Sequence, residues 1–379
     1  MAFALSIVAL FIWIYLIAGR GWFWLAAERD DREVPAEPAT WPSVIAIVPA
    51  RNEADVIRQS IGSLACQDYP GSFRILLVDD ESEDGTAQEA RAAGAPQLTI
   101  IGGAPRPKEW TGKLWALQQG LDHVRAEQAD PAFLWFTDAD IAHAPDNLRQ
   151  LVARAEADDR VLVSLMARLH CRGFWERLLI PAFVFFFEML YPFRWVNNVN
   201  HSLGAAAGGC VLLRRQAFER AGGLDPIKSE IIDDCALGRL MKTQGPIWLG
   251  LTRRAISIRP YDGLGEIRQM VARSAYAQLG YNPLALLATV AGLTITYLVA
   301  PVLTFVGPGL VHLFAGCAWA LMTLSFVPML RFYGSSILWA PTLPIIACFY
   351  MLFTLDSGLQ HWRGRGGMWK GRAQAASSS

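Results

Sequence analysis

Charge of neither sign is in excess in this sequence: 34 Lys and Arg face 34 Asp and Glu over 379 residues. The balance removes the electrostatic case for a nucleic-acid partner. Paired cysteines are also missing. Cys66, Cys171, Cys210, Cys235, Cys317 and Cys348 are scattered without a CxxC. That pattern fits neither a zinc site nor a disulfide framework and suits a reducing compartment, with most of them serving as small apolar fillers. No GxGxxG or GxxxxGKS/T follows a candidate strand, so dinucleotide and P-loop readings lose support. No Lys or Arg precedes the first apolar run, whereas a cleaved signal peptide wants a basic start. Internal repeats and long low-complexity stretches are absent as well.

Apolar surface, by contrast, is abundant. Mean hydropathy is +0.26 and the chain holds 14 tryptophans, both high for a soluble protein. Ala2 to Ala18 is apolar and uncharged, the apolar character resumes at Trp22 to Ala27, and Arg20, Arg29 and Arg32 follow. Residues 1–27 therefore read as an uncleaved anchor with its amino end outside and Glu28 onward in the cytoplasm. Residues 28–42, with the proline-bearing Glu33 to Pro42, read as a linker. In the carboxyl third, over 284–356, three stretches are membrane candidates. Leu284 to Val306 and Leu310 to Leu330 are separated by Gly307-Pro308-Gly309; Ile337 to Leu355 is interrupted by Pro341 and Pro344. Three full crossings would leave the basic tail 357–379, with Arg363, Arg365, Lys370 and Arg372, outside, against the charge rule. A re-entrant third segment is one resolution, and the tail would then be cytoplasmic, ending in a disordered Ser377 to Ser379. Gly173 to Trp195 is apolar too but holds Glu176, Arg177, Glu188 and Arg194. Charge at that density disfavours a spanning helix. It suits either an interfacial helix lying in the headgroup region, apolar face down, or a core helix of the soluble domain.

Residues 43–280 alternate strand and helix signals. Short apolar runs at Val44 to Val48, Ile75 to Val78, Leu98 to Ile101 and Phe133 to Thr137 are separated by helical spacing over Glu53 to Gln67, Gly85 to Ala93 and Thr111 to His123. The alternation predicts an α/β fold with a parallel sheet, becoming mixed after Asp140, where Val161 to Met166 and Cys210 to Leu213 read as further strands. Ligands bind off the carboxyl ends of such strands, and three clusters fall there: Pro49-Ala50-Arg51-Asn52-Glu53, Asp79-Asp80, and Asp138-Ala139-Asp140. If the last is extended, alternation points Asp138 and Asp140 the same way. A divalent cation such as Mg²⁺ or Mn²⁺, bridging to a diphosphate, would relieve their repulsion; a solvated turn is the plain alternative. Gly208-Gly209 before a strand lets a backbone approach a ligand or simply makes a tight turn. Asp233-Asp234 opens a helix, where acids are favoured by capping and the dipole whether or not they have a chemical role.

Taken in order, these residues resemble the membrane-bound family 2 glycosyltransferases of GT-A fold, over about Pro42 to Gln278 and with agreeing membrane segments. Phe174-Trp175-Glu176-Arg177-Leu178-Leu179-Ile180-Pro181-Ala182-Phe183 and Met270-Val271-Ala272-Arg273 look closest to the hopene-associated members. The resemblance implies that Pro49 to Glu53 (Pro49, Ala50, Arg51 and Glu53 among them) line a nucleotide pocket, that Asp79 or Asp80 holds a uracil or ribose, and that Lys113 reaches the base or diphosphate. It implies Asp138 and Asp140 as the DxD motif, with Asp140 the direct metal ligand, Gly208 and Gly209 as acceptor wall, and Asp234, preceded by Asp233 where Glu is usual, as catalytic base. Processive members carry QxxRW; here Met270-Val271-Ala272-Arg273-Ser274 keeps only Arg273, which implies transfer of a single sugar, with Arg273 as a diphosphate contact. The expectation is an inverting transfer from a nucleotide-diphosphate sugar (a uridine diphosphate by resemblance) to a membrane lipid, at a bacterial cytoplasmic membrane. The alternatives are a polyprenyl-phosphate acceptor and, from another class, an inactive membrane scaffold or lipid-transport partner. A nucleotidyltransferase would want a glycine-rich basic loop, which Pro49 to Glu53 is not.

Overall fold

The computed structural model describes residues 1–364, 366–369 and 372–373, so the expectations for Arg365, Lys370 and Ser377–Ser379 lie outside the described residues. In chain order the helices are α1 (Ala2–Ala18), α2 (Ala54–Ala65), α3 (Thr86–Arg91), α4 (Gly112–Ala126), α5 (Asn147–Ala157), α6 (Phe174–Leu190), α7 (Phe193–Asn197), α8 (Arg215–Arg220), α9 (Asp233–Lys242), α10 (Leu264–Gln278), α11 (Pro283–Leu293), α12 (Val299–Val306), α13 (Leu310–Tyr333) and α14 (Leu343–Trp362). The main strands are β1 (Val44–Ala50), β2 (Phe73–Asp79), β3 (Leu98–Gly102), β4 (Phe133–Thr137), β5 (Ile141–His143), β6 (Leu162–Arg168), β7 (Cys210–Arg214) and β8 (Ile247–Ser257). Packing divides the described residues into a helical unit, 1–27, 171–194, 261–364 and 366–367, and a sheet unit, 28–170, 195–260, 368–369 and 372–373.

The sheet unit holds one eight-stranded mixed sheet in the order β3-β2-β1-β4-β7-β6-β8-β5. The half nearest the amino end is parallel: Val44 of β1 is in register with Phe73 of β2 and with Phe133 of β4. β4 then pairs antiparallel with β7, and β7 with β6, before β6 and β8 return to parallel. β1 is buried along its whole length, as a strand covered on both faces must be. Its alternation decides which helix each residue meets. Ile47 lies beneath Gly120 of α4, where an added Cβ would stand 2.6 Å from the Ile47 side chain. Val44, Ala46 and Val48 enter the core with Ile57, Ile61 and Leu64 of α2 and Leu148, Leu151 and Val152 of α5.

The linker expected over 28–42 is docked in its first part. The Leu251 N–H donates to the Glu28 carbonyl and the Asp30 N–H to the Leu251 carbonyl, so Arg29 forms a parallel bridge with β8. Asp30 is buried, and burial raises its pKa despite the Thr252 hydroxyl at 2.6 Å and Arg254 at 3.2 Å. The proline content of 33–42 marked the linker; a backbone pairing at residues 28–30 leaves no composition signal.

In the helical unit, Pro283–Val306, Leu310–Tyr333 and Ile337–Trp362 are helical stretches long and apolar enough to cross a membrane. α1 is shorter, 17 residues or about 26 Å at 1.5 Å per residue. It packs on α12 and α13, and its Trp13 indole donates to the Thr296 carbonyl at 2.8 Å. The proposed break in the third stretch is not there. Pro341 lies in a 3₁₀ turn, Ile337–Thr342, that leads into α14, and Pro344 occupies its first turn, where a missing N–H leaves no bond unmade. The prolines therefore give no basis for re-entry.

The stretch 173–195 is two helices, not one, and the apolar side of α6 is covered mostly by protein: Leu178, Leu179, Ile180, Ala182, Val184 and Phe185 are all buried, with α13 and α14 among its neighbours. The charge that suggested a headgroup location is used internally. One Glu176 carboxylate oxygen accepts the N–H groups of Arg172 and Gly173 at 2.7 Å each, capping its own helix, and the other accepts the Tyr261 N–H at 2.9 Å. The α/β region expected over 43–280 does not pack as one unit: 171–194 and 261–280 group with the apolar helices. For α10 the ties are to α14: Arg268 pairs with Asp356 at 2.9 Å, and Tyr276 donates its N–H to Ser357.

Candidate active site

β4 stops at Thr137, and Asp138-Ala139-Asp140 is a turn, closed by the Ile141 N–H on the Asp138 carbonyl at 3.2 Å. The two acids therefore do not share a strand face, and they take different partners. Asp138 Oδ1 lies 2.7 Å from Lys113 Nζ. Asp140 Oδ2 lies 3.3 Å from the Ser257 hydroxyl and 3.6 Å from Arg259 Nε, and the Arg259 guanidinium also pairs with Glu53.

Lys113 sits in the first turn of α4, where the helix dipole disfavours a cation. Acids from two other parts of the chain hold it there: Asp138, and Asp233 of α9 at 3.5 Å. Burial alone would lower the pKa of this ammonium; Asp138 and Asp233 outweigh it and raise the value above the ordinary one.

Asp234 stands beside them. One carboxylate oxygen accepts the Gly208 N–H at 3.0 Å and the other the Cys235 N–H at 2.7 Å. Burial, with Asp233 beside it, pushes its pKa up to about 6, while Lys113 and the two N–H groups pull the other way. Space at Gly208 is tight: an added Cβ would stand 3.0 Å from Lys113 Nζ and 3.3 Å from Asp234 Cβ, so both side chains would have to shift. Gly209 follows it at the entry to β7.

The remaining residues form loops braced across β1 and β2. Pro49 and Ala50 end β1, and the Asp80 N–H donates to the Ala50 carbonyl at 2.8 Å. The buried Arg51 guanidinium donates to the Asp80 carbonyl and, at 3.1 Å, to that of Glu81, with the Asp80 carboxylate 3.8 Å away. Asp79 accepts the Ser82 N–H, and Glu53, ahead of α2, donates its N–H to Thr86. Asn52 and Glu81 both have positive φ, 51° and 53°, a left-handed conformation uncommon outside glycine. Arg273 lies exposed on α10 in the helical unit.

Among the described residues no group of three or more His, Cys, Asp or Glu is gathered around a metal position. Asp138 and Asp140 are nonetheless oxygen donors of the kind that Mg²⁺ and Mn²⁺ take one or two at a time, with phosphate oxygens and water completing the shell. The donor set thus fits a cation shared with a diphosphate, not a metal held by protein alone.

Several residues here escaped the sequence reading. Ser257 and Arg259 reach Asp140 from the end of β8, 117 positions on from Asp140 in the case of Ser257. Thr137, His143 and Ser164 are buried polar side chains in or at the end of apolar runs, and Asn147 is a buried amide at the start of α5. Polar residues at core positions were the one signal that pointed to them.

The family Glycosyl transferase family 2 matches residues 45–222. A 4,4'-diaponeurosporenoate glycosyltransferase of Staphylococcus aureus is 24% identical over 212 residues, 53% of this chain and 52% of that protein. The glycosyltransferase AglE of Haloferax volcanii is 33% identical over 105 residues, 27% of this chain and 32% of that one. The chain thus spans about half or less of the length of these curated relatives. Among solved structures, a mannosyltransferase from Pyrobaculum calidifontis in complex with GDP-Man and Mn²⁺ superposes with a TM-score of 0.57 at 18% identity, covering 95% of this chain and 99% of that one, which shows a shared fold. Residues 45–222 are thus similar to Glycosyl transferase family 2, and the mixed α/β sheet has the GT-A fold.

Proposed function

We propose that the protein is an inverting, non-processive glycosyltransferase that moves one sugar from a nucleotide-diphosphate donor to the hydroxyl of a membrane lipid. One observation carries the reading: Lys113, Asp138, Asp233, Asp234 and Gly208, drawn from separate stretches of the sequence, meet in one polar cluster. Pro49, Ala50, Arg51, Glu53, Asp79 and Asp80 line the donor nucleotide, and Asp140 with Asp138 holds a divalent cation. When bound, that cation neutralises the departing diphosphate. Lys113 adds a fixed positive charge to the same leaving group. Asp234 accepts the acceptor hydroxyl proton, the alcohol oxygen forms its bond to the anomeric carbon, and the bond to the diphosphate breaks on the opposite face, which inverts the centre. Gly208 and Gly209 leave room for the acceptor, and Arg273 remains a proposed diphosphate contact.

The three apolar helices support a membrane protein, and Arg20, Arg29 and Arg32 after the first apolar run support placing the residues that follow in the cytoplasm of a bacterial cell. A relative named for 4,4'-diaponeurosporenoate supports a lipid acceptor, and the runs Phe174–Phe183 and Met270–Arg273 favour a hopanoid. The test is an assay of the full chain in vesicles with radiolabelled nucleotide sugars, supplied with hopanoid, polyprenyl phosphate or neither. Label moving to the hopanoid alone supports the reading. Label on polyprenyl phosphate replaces the acceptor, and no label on any lipid while the nucleotide is bound points to a scaffold.

A further inference from the structure

Buried polar groups beneath the acids play no part in the reaction as written. Thr137 Oγ1 is 2.9 Å from the Gly209 carbonyl and 2.8 Å from His143 Nε2, and His143 Nδ1 is 3.0 Å from Asn147 Nδ2. The directions follow from the last acceptor. A carbonyl only accepts, so the Thr137 hydroxyl donates to Gly209 and must itself accept from His143. The imidazole then carries its proton on Nε2, and its Nδ1 accepts from the Asn147 amide. Burial holds this imidazole far below its usual pKa, at about 3, so it stays neutral and the direction is fixed. From the other side, Ser164 Oγ accepts the Ala207 N–H at 2.8 Å and donates to the Ala207 carbonyl at 3.1 Å. Gly208 lies between the two anchored residues, and its N–H is the one that meets Asp234. Thr137, Ser164 and Asn147 are at most 1% exposed and His143 is 6% exposed. Apolar residues would fill these places without desolvating hydroxyls and an imidazole, so the polar set is explained by the directions it imposes.

We propose that Ser164 and the Asn147–His143–Thr137 chain are positioning residues that clamp the Ala207–Gly209 turn from beneath, so that Gly208 fixes the Asp234 carboxylate towards the acceptor hydroxyl. The inference rests on the role proposed above for Asp234. Thr137→Val removes the hydroxyl at nearly constant volume, and Thr137→Ser keeps it. The full chain in vesicles is assayed for kcat and donor KM, with nucleoside-diphosphate affinity by calorimetry and thermal melting measured alongside. Thr137→Val is expected to lower kcat about tenfold to a hundredfold. Donor KM and nucleoside-diphosphate affinity should stay within about twofold, and Thr137→Ser should recover most of kcat. Ser164→Ala, acting from the opposite side, should show the same split. Wild-type kcat in folded Thr137→Val, a parallel fall in nucleotide affinity, or a Thr137→Ser enzyme as slow as the valine variant overturns the inference. Where Thr137→Val does not melt cooperatively, Ser164→Ala and His143→Gln decide on the same criteria. Undiminished turnover in Asp234→Asn overturns instead the assignment of Asp234, which separates the two failures.

Discussion

Lys113 Nζ lies 2.7 Å from Asp138 Oδ1 and joins the turn after β4 to the helix that carries Asp233 and Asp234. A cation at the start of a helix opposes the dipole, so the local sequence does not explain this lysine; the surrounding acids do. They also explain why three carboxylates can stand together. The ammonium offsets the repulsion that would otherwise push protons onto them.

Lys113→Met removes that charge and keeps most of the side-chain volume. Turnover should fall at least about a hundredfold, the scale seen when one preorganised donor to a developing negative charge is lost. Lys113 also lowers the Asp234 pKa, so its loss should move the acid limb of the pH–rate profile to higher pH. A profile unmoved in Lys113→Met places the ammonium outside the field of Asp234.

In the wild-type protein the acid limb itself is expected near pH 6. As the proposed base, Asp234 must be ionised to accept a proton, and burial together with Asp233 raises its pKa to about 6. Activity should therefore drop about tenfold per pH unit below that value and level off above it. Asp234→Asn should lower kcat by about a hundredfold to ten-thousandfold with nucleotide affinity retained, measured by single-turnover kinetics and calorimetry.

How far the sequence could lead to this site depended on the range of each contact. β1 to β4 and their helices were legible because each is a local period: an apolar run or a helical stripe, ended by a polar cluster. Asp138, Gly208 and Asp234 were legible as a strand-end acid, a glycine pair and a helix-start acid, and Lys113 only through the family resemblance; nothing local shows that they meet. The orientation of Asp138 and Asp140 was not legible because the alternation that orients strand residues ends with the strand at Thr137, and a turn follows. Arg259 on Asp140 and Glu53, and Glu176 capping its own helix, depend on tertiary partners with no spacing rule. The docking of Glu28 to Asp30 on β8 is a backbone pairing, which side-chain composition does not record.

Arg259 and a divalent cation should compete for Asp140. The guanidinium lies 3.6 Å from the carboxylate and also binds Glu53, so it already neutralises part of the proposed metal site. Removing it in Arg259→Gln should raise Mn²⁺ affinity measured without nucleotide by several-fold, about the effect of one nearby charge at the protein surface. Asp140→Asn should abolish the dependence of nucleotide affinity on Mn²⁺. Calorimetric titration of Mn²⁺ into both variants checks the pair; unchanged Mn²⁺ affinity in Arg259→Gln shows that the two cations do not share Asp140.

His143 should make the fold acid-sensitive in a window set by its own titration. Its folded pKa is depressed to about 3, so the unfolded chain binds the proton first as pH falls below about 6.5. The stabilisation is complete above that value and declines by about 1.4 kcal/mol per pH unit down to about pH 3. His143→Gln does not titrate. Between pH 7 and 5 its melting temperature should fall less than that of the wild type, even if it starts lower. Parallel declines in the two proteins show that the imidazole becomes protonated without unfolding.

Gly238 sets where α9, and with it Asp233 and Asp234, can lie. A Cβ there would stand 2.2 Å from the Ala205 carbonyl carbon and 2.6 Å from Ala205 Cα, and one at Gly204 would stand 2.7 Å from Arg239 Cα. The helix thus packs backbone to backbone against the segment that leads into Gly208, and backbone atoms cannot rotate away. Replacing a mid-helix glycine by alanine normally stabilises by about 1 kcal/mol. At Gly62 of α2, where an added Cβ meets nothing within 4 Å, that gain is expected. Gly238→Ala should do the reverse, destabilising by about 1–3 kcal/mol through overpacking. It should also slow turnover by moving both acids away from Lys113. Thermal melting and kcat measured on the two alanine variants side by side decide it; equal gains in stability at both positions, with activity intact, contradict a helix seated on bare backbone.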